Sequence, residues 1–101
     1  MLAQFTVIPL DYGQSMGDVV AHVIDLIDRS GLPYQLTAMG TLVEGDTDEV
    51  FELIKNCHNL MKQYSNRVST HVAIDDRKDA VGRLSGKVER IAQVLQRPVR
   101  T

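Results

Sequence analysis

The chain has no tryptophan, one cysteine and two phenylalanines among its 101 residues. A lone thiol, Cys57, excludes an intrachain disulfide and fits a reducing, cytoplasmic setting. Together with the scattered His22, His58 and His71 it gives no zinc-ligand spacing. No apolar run approaches the roughly 20 residues that span a bilayer. The opening MLAQFTVIPLDYG lacks a basic n-region and breaks at Pro9, unlike a secretory signal, so no membrane partner is expected. Eleven Lys and Arg against thirteen Asp and Glu leave a net charge of −2, which implies no basic face and argues against nucleic acid as a partner. Phosphate-loop, GxSxG, HExxH, CxxC and dinucleotide-binding glycine patterns are all missing, and no nucleophile has a base beside it in sequence.

What is present is the balance of an ordinary globular domain, 44% hydrophobic and 24% charged, at a length that suits a single domain over residues 1–101. Residues 2–10, rich in β-branched and apolar types, predict a strand. DYGQS is a loop, and Ser15 offers an N-cap with Asp18 three residues on. Met16, Val19, Val20, Val23, Ile24 and Ile27 then fall on one helical face, and Gly31 and Pro33 stop the helix. Residues 34–39 and 41–45 predict a strand pair turning at Met39-Gly40. Asp46 or Thr47 caps a second helix whose inner face carries Val50, Leu53, Ile54, Cys57, Met61 and Tyr64, with Ser65-Asn66 as its end. Residues 67–75 alternate as a strand, and a last helix runs from about Ser85 to Gln96 with Leu84, Val88, Ile91, Ala92 and Leu95 on one side.

This order, β-α-β-β-α-β-α, is that of an α+β, ferredoxin-like βαββαβ fold: an antiparallel sheet with two helices on one face, plus a C-terminal helix. Alternation sets Phe5 and Val7 against Gln4, Thr6 and Ile8, and Val68, Thr70, Val72 and Ile74 against Ser69, His71 and Ala73. The helix-free face then carries little charge before Asp75, where a solvated face shows more Lys and Glu. Another subunit, a ligand or the third helix is expected to cover it.

Several residues invite chemistry. Asp75, Asp76, Arg77 and Asp79 form the densest charge cluster; paired carboxylates there suit a metal or acid-base work, and a solvated strand end explains them equally. Glu44 is placed to anchor a cationic or amino-bearing ligand, or to cap a turn. Thr37 and Thr41 flank the turn with hydroxyls, and Gly40 allows close approach. His71 lies on the uncovered face, and Tyr12, Tyr34, Phe51 and Tyr64 offer rings to a heteroaromatic cation, though Tyr64 and Phe5 suit the core better. Cys57 reads as a buried, inert thiol, and His22 and His58 as helix-surface residues.

The segments 7–13 (VIPLDYG), 30–58, 67–77 (RVSTHVAIDDR) and 86–89 (GKVE) resemble the small stand-alone thiamine-binding proteins related to the YkoF-like domain. The most specific pieces are the run from Tyr34 to Gly45 (YQLTAMGTLVEG) and Ile74-Asp75-Asp76-Arg77. The resemblance implies a ferredoxin-like fold, a homotetramer built from paired sheets, and binding of thiamine or its hydroxymethylpyrimidine part without catalysis, metal or other cofactor. It carries the pocket onto Thr37, Met39, Gly40, Thr41 and Glu44. Few cations near the hairpin favour unphosphorylated thiamine, while Arg77 and Lys78 keep its diphosphate open. Two other readings stand beside it: a homo-oligomeric regulatory or assembly module, and a small enzyme using Asp75 and Asp76.

Overall fold

Alternation along the strands and the 3.6-residue period along the helices are both realised in a computed structural model that describes residues 1–11, 17–79 and 81–101. The elements are β1 (Leu2–Pro9), α1 (Gly17–Arg29), β2 (Tyr34–Thr37), β3 (Gly40–Glu44), α2 (Thr47–Met61), β4 (Val68–Asp75) and α3 (Arg83–Leu95). The sheet is antiparallel throughout, in the order β2-β3-β1-β4. This is the expected ferredoxin-like α+β architecture. Ser15, the expected cap of α1, lies outside the described residues.

One face of the sheet and one stripe of each of two helices make the core. Ala3 and Phe5 of β1 and Val43 of β3 pack with Val19, Val23 and Ile27 of α1 and Val50, Leu53, Ile54, Cys57 and Met61 of α2. Truncating a fully buried residue such as Ile27 to Ala costs about 2–5 kcal/mol. A reciprocal capping box starts α2: Glu49 N–H donates to the Asp46 carboxylate (2.9 Å), and Asp46 N–H to the Glu49 carboxylate (3.4 Å). The helix ends at Met61, earlier than the expected Ser65-Asn66. Tyr64, expected on the inner face, therefore lies beyond it, 42% exposed and stacked on His22 with centroids 5.8 Å apart. Past the last regular turn, helical spacing no longer predicts which way a side chain points. Ser65 is instead buried, its hydroxyl donating to Asp11 and to the Arg67 carbonyl (2.8 Å). Asp11 also accepts from Asn66 N–H (3.0 Å), so one carboxylate ties the end of β1 to the entry of β4. The Ser65 bond holds that carboxyl below its ordinary value of 3.8.

The opposite face of the sheet is open over much of its area: Gln4, Ile8, Gln35, His71 and Ala73 are exposed. The third helix does not cover it. α3 docks on β3 near Glu44, has no buried residue, and leaves Val88, Ile91, Val94 and Leu95 exposed.

Candidate ligand-binding site

The site arises from a mismatch in strand length. β1 has eight residues and β3 five, and they pair only from Leu2–Glu44 to Phe5–Thr41. Beyond Phe5 the β2–β3 hairpin turns back, and β1 runs on alone on that side. Backbone hydrogen bonds fix which groups are left there. Met1 and Gly45 exchange both of theirs (2.8 and 3.1 Å), and Leu10 N–H donates to the Arg67 carbonyl (2.8 Å). In an antiparallel ladder bonded and non-bonded pairs alternate. Odd-numbered residues of β1 therefore bond toward β3 and even-numbered ones toward β4. Val7 aims its N–H and C=O at the side β3 has vacated, where no described strand pairs with it. Pro9, with no N–H to lose, fits that same unpaired edge.

A cavity of about 380 Å³ occupies this gap, roofed by Val20, Val23 and Ile24 of α1. Phe5 to Pro9 form one wall, Leu36 to Thr41 of the hairpin another, and Met61 closes the end. It is mostly apolar, with a few polar groups, as small-molecule sites of roughly 300–1,000 Å³ usually are. Thr41 faces the helices, only 5% exposed, and its hydroxyl makes no hydrogen bond among the described residues. Thr37 is committed to the turn: its hydroxyl donates to the Gly40 carbonyl (2.8 Å) and accepts from Met39 N–H (3.2 Å), which leaves one acceptor position. The turn itself is Ala38-Met39, one residue earlier than expected. Met39 stands at its tip, 80% exposed. Gly40 begins β3 with φ 151°, and a Cβ there would lie 2.9 Å from Thr6 Cγ2 and 3.1 Å from the Phe5 carbonyl oxygen. The close approach that glycine permits is thus to β1.

Glu44 lies apart from these four residues, at the other end of β3. Its carboxylate accepts from Arg83 N–H (2.8 Å) and Leu84 N–H (3.2 Å), the first free amides of α3. The helix has Gly82 as its N-cap, with no side-chain acceptor of its own, and Glu44 supplies one from 39 residues away. Asp75 is drawn to the same helix, 3.8 Å from Arg83 and 3.4 Å from Lys87. Among the described residues no group of three or more His, Cys, Asp or Glu is placed to hold a metal ion.

The aromatic candidates disperse. Phe51 is exposed on the first turns of α2 and does not line the cavity; Tyr34 donates to Asp28 (3.0 Å), which raises its pKa; Tyr12 lies outside the described residues. Phe5, read as core, is the ring in the cavity wall. His71 bonds Ser69 on the open face (2.8 Å), and His58 bonds Thr70 (2.6 Å). Burial pushes the Cys57 thiol up to about 12, which makes it inert at neutral pH. Sequence reasoning missed the Val7 backbone, the α1 roof and the Glu44 cap. The unequal lengths of β1 and β3 were an available signal; the Glu44 cap had none, because Ser85 offered a start for the last helix two residues inside its true one, after Gly82.

Fold and cavity together define a small α+β domain with an apolar, sparsely polar cavity at the turn end of its sheet. Residues 3–92 match the model of a family described as thiamine-binding protein, and the chain belongs to that family. It is similar to a UPF0045 protein of Methanothermobacter thermautotrophicus, 38% identical over 96 residues that cover 92% of this chain and 97% of the relative. The crystal structure of a hypothetical protein from Methanocaldococcus jannaschii superposes with a TM-score of 0.81 at 32% identity, covering 91% of this chain and 95% of that one. A Thermotoga maritima protein assigned provisionally to thiamine biosynthesis or salvage shares the fold, with a TM-score of 0.78 at 21% identity over 89% of this chain and 96% of that one.

Proposed function

We propose that the chain binds thiamine, or its hydroxymethylpyrimidine part, without turning it over, as a carrier, buffer or sensor. The observation that carries this reading is the cavity under the hairpin, lined by Thr37, Met39, Gly40 and Thr41 of the family's most specific run. An aminopyrimidine presents donors and acceptors along one edge and an apolar ring face. The Thr41 hydroxyl and the Val7 N–H and C=O would meet the edge, and Phe5, Val23 and Ile24 would pack the ring. Glu44 acts at a distance, as the clasp of α3. Titration calorimetry with thiamine tests the reading. Thr41→Val keeps the shape and removes the hydroxyl, and is expected to weaken binding about tenfold, the worth of a buried hydrogen bond. No heat from thiamine or its pyrimidine half at millimolar concentration would reject it.

The working unit is a homo-oligomer, a tetramer in the arrangement the family resemblance implies. What supports this is the open sheet face together with the exposed apolar stripe of α3, both of which a neighbouring copy would cover. Light scattering is expected to give four chains per particle, and a monomer at micromolar concentration would count against it.

A further inference from the structure

Charge is segregated along the chain to a degree the net value of −2 conceals. Residues 77–101 hold seven Lys and Arg against two Asp and Glu, whereas residues 1–76 hold four against eleven. The folded chain gathers part of that excess at one place. The groove between the β4–α3 loop and the first turns of α3 is lined by Arg77, Arg83, Lys87 and Arg90. On α3 the last three are spaced by 4 and 3 residues, so they share one helical stripe. Arg77 approaches from the loop. The groove measures about 490 Å³. Gly82 and Gly86 line it too, and a Cβ built on either would meet nothing within 4 Å, so its floor is open backbone.

We infer that this groove is a binding site for a diphosphate or longer phosphate group, separate from the hairpin cavity and standing whether or not that cavity takes thiamine. Two carboxylates stand beside the four cations: Asp75, near Arg83 and Lys87, and Glu44, on the amides of Arg83 and Leu84. Arg77 and Arg90 have no ion-pair partner among the described residues, so two positive charges are left uncompensated. Asp76 and Asp79 belong to the same loop and do not line the groove. The amides of Arg83 and Leu84 are already occupied by Glu44. Recognition therefore falls to side chains, three of them guanidinium forks suited to phosphate oxygens. A compact multivalent anion matches the charge, and a neutral or cationic ligand does not. The hairpin cavity lies at the opposite end of β3, so the two sites are independent.

Calorimetry with sodium pyrophosphate on the full chain at low salt tests the inference. Saturable binding is expected, weakened by added salt. Arg77→Gln with Arg90→Gln is expected to weaken it at least about tenfold, while thiamine binding and the melting temperature stay unchanged. Lys55→Glu, outside the groove, is the charge-matched control and is expected to retain pyrophosphate binding. A gain in affinity of thiamine diphosphate over thiamine that disappears in the double variant would identify an ester as the source of the phosphate. No pyrophosphate binding, or equal loss in Lys55→Glu, would overturn the inference.

Discussion

Single residues here serve ends that residue type alone does not announce. Thr37 and Thr41 look equivalent in sequence, on either side of a turn. The structure gives Thr37 to the turn and leaves Thr41 with an unbonded hydroxyl against the cavity, because successive strand residues face opposite ways. Asp11 sits in what reads as a loop, yet it fastens two strands. Its carboxyl is held below 3.8, chiefly by the Ser65 hydroxyl, so its contribution to stability is present above that pH and is lost as pH falls through the lowered value. Asp11→Asn, which resembles the protonated acid, is expected to lower the melting temperature at pH 7. The gap from the unaltered chain should close as pH falls below about 4. Melts followed by circular dichroism across that range check the sign; a gap that widened in acid would contradict it.

At the scale of elements, the strands and helices were legible because two periods, 2 and 3.6, were cleanly written. The strand pairing followed from element order. The candidate site was legible only in part. The run from Tyr34 to Gly45 pointed to the hairpin, but it also pulled in Glu44, which the strand carries to the far end of the sheet. Adjacency in sequence is separation in space along an extended strand, at about 3.3 Å per residue. The cavity depends instead on β1 outlasting β3, a tertiary fact that no single segment states. α3 shows the same thing from the other side: a helix with no side-chain cap of its own borrows one from β3. Glu44→Ala is expected to cost about 0.5–2 kcal/mol in the docking of that helix. Amide exchange at Arg83 and Leu84 should quicken while the core of α1 and α2 stays protected. Unchanged exchange at those two amides would show that the cap does not hold the helix.

For the whole molecule, the architecture separates tasks by end. The turn end of the sheet holds an apolar cavity with a few polar groups, and the other end holds the Glu44 clasp, Asp75 and a basic groove. Between them lies a weakly charged, open face, where the proposed oligomer would pack. Family membership makes thiamine the ligand to try first, and the cavity under the hairpin says where it would sit. Backbone amide NMR titration with thiamine puts both claims to one test. Saturable shifts at Val7, Thr37 and Thr41, with Arg83 and Leu84 unmoved, are the predicted result. Shifts confined to the α3 end, or none at millimolar thiamine, would contradict the account.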